Sequence, residues 1–288
     1  MVLRRPGRAA VGAKRDLDTF VQHVGERLTS SNPGSTVSHE GVIRARLAMA
    51  RPAPSALGAW RWLLLHRTSV WQWRLVLLVS ALAAINLVNN LVLHADAYVP
   101  ANLVFAAGAV LIARRTGMSW DDLGLSRERL RRGIGVGLVA AGIVTSVLAA
   151  FAYVPVLADH FRAAGTPGTE EVAWSVLVRI PFGTALPEEL LFRSVLLGVL
   201  LTRLRPVRAA LASAGLFGLW HVLPTLDGAS AFSGGAPEVA LAVLATTAAG
   251  AGFAWLRVHA DSVLAPVAAH AAINGIALLV SHLLVVGG

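Results

Sequence analysis

Two adjacent glutamates, with an arginine four residues after the second, stand in the apolar run Pro-Glu-Glu-Leu-Leu-Phe-Arg-Ser as Glu188, Glu189 and Arg193. His221 closes the stretch Phe-Gly-Leu-Trp-His, and His270 precedes Asn274 by four residues in His-Ala-Ala-Ile-Asn. A water-using hydrolase needs a base to deprotonate water, donors for the oxyanion and a dry, shaped site. Glu188 and His221 can supply the first, and His270 with the amide of Asn274 the second. The same histidines with a glutamate also make a His-His-Glu set that zinc could take, Glu188, His221 and His270 being the ligands and the other acid the base. The residues leave both chemistries open. No cofactor is demanded, and zinc is the one candidate.

Helical spacing sorts the acids. Residues four apart share a face, whereas residues five apart are rotated by ~140°. Glu189 therefore faces Arg193, which neutralises and anchors it, and Glu188 remains an ionisable carboxylate aimed into the bundle. The plainer alternative is that both acids complement the positive N-terminus of a helix starting at Pro187. Phe217 and His221, like His270 and Asn274, are spaced to project from one helical face. Each histidine alone reads as a core residue, but two on separate segments with a Glu pair and an Asn read as a site. Asn86, Asn89 and Asn90 read as helix-contact residues, Arg179 as a snorkelling or locally paired one, and the tryptophans as belt and core.

The elements that must carry these residues are membrane helices. The chain is 56% hydrophobic and only 14% charged, against ~45–50% apolar and about a quarter charged in soluble domains, and its mean hydropathy is +0.65. A charged side chain at a helix centre in lipid costs ~2.5–3.5 kcal/mol, so the few ionisable residues inside apolar blocks are functional candidates. Spans are expected at about 75–93, 98–113, 133–157, 207–223, 238–256 and 263–285. The first follows an interfacial cluster of Trp71, Trp73 and Arg74, and the third opens with Gly133, Gly135 and Gly137, which would let helices approach closely. Residues 172–203 are too long for one straight span and contain Pro181 and Pro187. A kinked or partly re-entrant segment that resumes as helix at Pro187 is expected there. The fold class is all-α, a polytopic transmembrane bundle of about seven to eight spans. Arginine-rich loops alternate with arginine-poor ones as seven crossings require if 172–203 crosses once.

Residues 1–58 are polar, basic and rich in Ala, Gly, Pro and Ser, and are expected to form a disordered cytoplasmic tail, with Met49 as an alternative first residue. Residues 59–288 form the membrane domain. The net charge of +9 is spent on loop ends and the tail, which leaves no folded basic surface for nucleic acid. Lys14 is the only lysine and there is no cysteine, so thiolate nucleophiles and sulfur-ligated metals are excluded. Competing membrane-protease patterns fail on inspection. His39-Glu40 is followed by Gly-Val-Ile instead of completing a zinc motif, Gly228-Ala-Ser230-Ala lies in a loop, and no paired intramembrane Asp exists.

Taken together, Glu188-Glu189-x-x-x-Arg193, Phe217-x-x-x-His221 and His270-x-x-x-Asn274 resemble the three motifs of the CPBP family of CAAX proteases and bacteriocin-processing enzymes, also called the ABI family. The resemblance covers about 131–285 and is supported by Leu-Leu-Phe-Arg around Arg193 and by Ser262-Val-Leu-Ala-Pro266 ahead of His270. Ser194 stands where many relatives have Gly. The resemblance implies a helical bundle with the site sunk between helices and hydrolysis of a peptide bond in a membrane-associated protein or peptide. It also implies that Glu188 and His221 activate water, that His270 and Asn274 stabilise the oxyanion, and that Glu189 with Arg193 braces the site, with the metal question open. Eukaryotic relatives cut prenylated proteins and many bacterial ones do not. The composition looks bacterial, so a bacterial plasma membrane and a non-prenylated substrate are expected. The rival functions are a proton- or ion-coupled transporter, against which the lack of an internal repeat counts, and a catalytically idle scaffold.

Overall fold

A computed structural model describes residues 56–163, 167–226 and 235–287, so the expected tail lies outside the described residues up to Ala56. Thr68–Gly288 forms one compact unit, which holds everything discussed below. Among the described residues the structure is helical, with short connections and no strand. Helix α1 covers Ala56–Leu91 and α2 Ala95–Arg115. Helix α3 is Leu130–Phe151 and α4 Pro155–Ala163. A continuous helical run over 169–201 is α5. Helix α6 is Pro206–Trp220, α7 Val222–Leu226, α8 Ala236–Ala260 and α9 Leu264–Val286.

Six stretches are long and apolar enough to cross a bilayer: Val70–Leu91, Ala95–Arg115, Arg127–Phe151, Pro206–Leu226, Ala236–Ala260 and Leu264–Val286. Their outward faces carry large apolar side chains, among them Leu77, Val104, Leu138, Leu211 and Leu244. Such a surface is intolerable in water and correct for lipid. This is a helical multi-pass membrane protein.

Two expectations are corrected. The third span does not run on to Leu157: α3 ends at Phe151, and Pro155 begins a separate helix after a turn over Ala152–Val154. The span expected at about 207–223 is present as Pro206–Leu226, and within it the helix carrying Phe217 ends at Trp220, because His221 has φ −87° and ψ 1° and leaves the helical path before Val222–Leu226 resumes it. Of the three early glycines, Gly133 and Gly137 lie against neighbouring chain. A Cβ on Gly137 would stand 3.0 Å from Ala268 Cβ, and one on Gly133 2.2 Å from Ser262 Oγ, while Gly135 faces open space. Four-residue spacing puts 133 and 137 on one face and turns 135 away.

Helix α5 is the largest departure. Neither proline breaks it, and no re-entrant turn occurs. Ser175–Ala185 and Leu190–Leu196 wind as π-helix, with the N–H of Leu186 reaching back to Pro181 O and that of Leu197 to Phe192 O, five residues away. A proline in an α-helix loses an i→i−4 bond and crowds the carbonyl four residues back. The wider turn around Pro181 relieves both. Regular α geometry returns at Leu186–Glu189, with Pro187 in its first turn.

The ends of the bundle are defined by contacts. At one end, Trp71 of α1 donates Nε1–H to Val199 O near the end of α5 (3.4 Å), and a Cβ on Gly198 would stand 2.9 Å from Asp122 O. Val263 N–H donates to Gly124 O (2.9 Å), and Arg132 reaches His259 O at 2.5 Å. At the other end Ser281 donates to Phe161 O (2.7 Å), and Thr169 Oγ1 lies 3.3 Å from His282 Nε2. Helix α5 therefore begins beside the last turns of α9 and finishes level with its start, running the length of the bundle. The arginines of 114–132, 203–208 and 257 share the first end.

Candidate active site

Glu188 and Glu189 lie on α5 between its two wide turns and Arg193 within the second, His221 at the end of α6, and His270 with Asn274 on α9. Glu189 and Arg193 are completely buried, and Glu188 is 8% exposed. Arg193 Nη1 pairs with Glu189 Oε1 at 3.2 Å, as four-residue spacing demands, and Nη2 donates to Gly250 O of α8 at 3.1 Å. The guanidinium carbon sits 4.1 Å from the ring centroid of Phe217, with Phe253 and Phe192 also around it. Such faces attract a desolvated cation.

The same Glu189 oxygen lies 2.9 Å from His270 Nδ1. Glu189 Oε1, which also accepts from Arg193, is the acceptor and Nδ1–H the donor, which fixes the imidazole and presents Nε2 on its other side. That Nε2 stands 3.9 Å from Glu188 Oε2, too far for a hydrogen bond and a separation one water can bridge. His270 is stacked on Phe253 (4.9 Å, 20°) and edge-on to Phe217 (5.9 Å, 90°). Asn274 follows one turn later on α9 and is half-buried.

Glu188 has a different environment. Its Oε1 accepts the indole N–H of Trp220 at 3.2 Å, while Oε2 is buried without a hydrogen-bond partner. His221 packs edge-on against Phe217 at 4.7 Å, and its Nδ1 donates to Phe217 O at 2.8 Å. A carbonyl only accepts, so Nδ1 carries the proton and Nε2 is the atom available for chemistry. The structure thus brings Glu188, Glu189, Arg193 and His270 into direct contact range, and joins His221 to them through Phe217.

Three residues of this site escape a reading by motif. Trp220 holds Glu188 from 32 positions away, and a membrane tryptophan reads first as belt. Asn86 of α1 donates to Trp220 O at 3.0 Å. Gly250 leaves room for Arg193: a Cβ there would stand 2.9 Å from Nη2 and 3.1 Å from Phe217 Cδ1. Its signal in the sequence is the small-residue run Ala-Ala-Gly-Ala-Gly over 248–252.

A zinc ion would need three such donors converging at ~2.0–2.2 Å on one point. Among the described residues no three His, Asp or Glu side chains are so placed. Glu188 and His270 Nε2 face each other, but no third donor joins them. The donors as they stand do not form a zinc site, and no step below runs through a metal.

Residues 169–276 match a family model described as type II CAAX prenyl endopeptidase Rce1-like, a stretch that contains all three motifs. The match agrees with the resemblance to the CAAX protease (CPBP) family. At family level that similarity supports an intramembrane endopeptidase acting on a membrane-associated protein. No curated protein and no solved structure matches the chain.

Proposed function

We propose that this CAAX protease relative hydrolyses a peptide bond with water activated by Glu188. The observation that carries the proposal is the contrast between adjacent carboxylates. Glu189 is locked by Arg193 and His270, whereas Glu188 is held by one neutral donor and turns its second oxygen toward His270 Nε2. Neighbouring acids whose environments are pushed apart in this way can take different roles.

Glu188 Oε2 takes a proton from water held between it and His270, and the resulting hydroxide attacks the scissile carbonyl carbon. The oxyanion is met by His270 Nε2–H, its imidazolium form supported by Glu189, and by the amide of Asn274. His221 Nε2 helps move the proton to the leaving amide nitrogen, the C–N bond breaks, and a carboxylate and an amine are released. Glu189 and Arg193 do not react; they hold His270 and keep the buried charge balanced. The phenylalanines exclude bulk water, which strengthens each interaction.

The test is purification in detergent and an assay on a quenched peptide library with prenylated, acylated and plain members. Glu188→Gln should lower cleavage by ~10²–10⁴-fold, the usual worth of a general base, with the protein still monodisperse and its melting temperature unchanged. Cleavage by the variant at the wild-type rate would remove Glu188 from the reaction. Flux of an ion in liposomes that Glu188→Gln abolishes, with no cleavage by either protein, would favour transport instead.

A further inference from the structure

The hydrogen bond from Trp220 to Glu188 belongs to a chain that begins outside the family-matched stretch. Trp220 is the last residue of α6, and its carbonyl is one of those that a helix's final turn leaves without an intrahelical partner. Asn86, buried on α1, donates Nδ2–H to that carbonyl at 3.0 Å, and Asn90 in turn donates to Asn86 O at 2.8 Å. The indole packs edge-on against Phe192 of α5, with centroids 5.3 Å apart and planes at 83°. Its N–H then meets Glu188 Oε1 at 3.2 Å. Backbone anchor, ring packing and N–H together leave the indole one orientation.

We infer that Asn86 and Trp220 are positioning residues for Glu188: the indole selects which carboxylate oxygen faces the reacting water, and Asn86 fixes the indole. This rests on the hydrolytic function proposed above. The terminal torsion of a glutamate is broad and roughly two-fold, so an unrestrained carboxylate would sample many orientations. An indole N–H only donates. It can tie down Oε1 without competing for the proton that Oε2 must accept. The site is then completed by α1, which lies before residue 169 where the family match starts.

Two measurements test this, one of them independent of any substrate. With indole-¹⁵N-tryptophan in detergent-solubilised full-length protein, the Trp220 N–H signal is assigned by its loss in Trp220→Phe. It should move upfield in Glu188→Ala and shift or broaden in Asn86→Leu, while the other tryptophan signals stay in place. A Trp220 signal unmoved by Glu188→Ala, or by Asn86→Leu, overturns the inference. In the cleavage assay, replacing Trp220 by its sulfur isostere benzothienylalanine keeps the ring and removes only the N–H. The loss of a bond to a charged group should lower kcat by roughly ten- to a hundred-fold, with KM unchanged, and Asn86→Leu should act in the same direction more weakly. Full kcat in the isostere, beside an inactive Glu188→Gln, would show that the N–H positions nothing. A wild type that cleaves no peptide counts against the hydrolytic proposal alone, and the indole signal then decides the positioning chain by itself.

Discussion

Among the described residues two arginines are buried, and they are kept by different means. Arg193, in the second wide turn of α5, has a carboxylate on one nitrogen, a carbonyl on another and three aromatic rings around its plane. Arg257, in the last turn of α8, is 4% exposed and donates to the backbone carbonyls of Asp122 (3.0 Å) and Asp121 (3.4 Å). Above it sits Gly124 at φ +67°, where a Cβ would stand 2.2 Å from Nε. Near the end of the bundle backbone carbonyls hold the guanidinium directly, with the carboxylates of Asp261 and Asp122 in its surroundings. Deeper in the bundle a carboxylate is paired with it directly, and that carboxylate is the glutamate which orients His270. The difference separates an arginine that fastens a loop from one that serves a site.

Removing Arg193 should break this contrast most severely. Arg193→Met leaves the buried Glu189 carboxylate with its His270 hydrogen bond and no arginine, and breaking a buried pair in this way costs ~3–5 kcal/mol, to be read as a large fall in melting temperature. Adding Glu189→Gln should restore most of the stability, because the lone charge is gone, while cleavage stays absent. Equal stability of Arg193→Met and wild type would mean that the pair contributes nothing to the fold. Next comes Gly250→Ala, which thrusts a methyl group at Arg193 and Phe217. Overpacking of this kind costs ~1–3 kcal/mol, and here it should also reduce cleavage per folded molecule.

Arg257→Met sharpens the comparison from the other side. Two carbonyls lose their donor, for a cost of ~1–3 kcal/mol, yet the cleavage rate of the folded fraction should match wild type. A matching loss of activity would show that the two arginines are not separable. The smallest effect is expected at Asp261, which pairs with Arg129 and, at 3.7 Å, with Arg132 while nearly half exposed. Asp261→Asn tolerates the same left-handed backbone and should cost under ~1 kcal/mol, vanishing at high salt.

What the sequence made legible follows from the range of the interactions. Apolar blocks announce six spans because hydropathy is local, and four-residue spacing pairs Glu189 with Arg193 because helix geometry is local too. Helix α5 was harder, since Pro181 and Pro187 are breakers by every local rule and the wide turns that absorb Pro181 leave no compositional mark. The end of α6 at His221 is equally unmarked, as nothing in Trp-His-Val demands a stop. The link from Asn86 through Trp220 to Glu188 joins three helices. No spacing rule reaches across such distances, so only the folded chain shows that an asparagine in the first span bears on a glutamate in α5.

The wide turns of α5 also set the rotational phase of the site. Each π turn takes in about one residue more than an α turn for nearly the same rotation, so tightening one wide turn of Ser175–Ala185 to α pitch at its present length would turn one flank of the helix against the other by ~100°. Glu188, Glu189 and Arg193 would keep their order and spacing and still lose either α9 on one side or the packing of Thr169–Trp174 on the other. The aim of the carboxylates is thus written in the winding of α5 as well as in its residues.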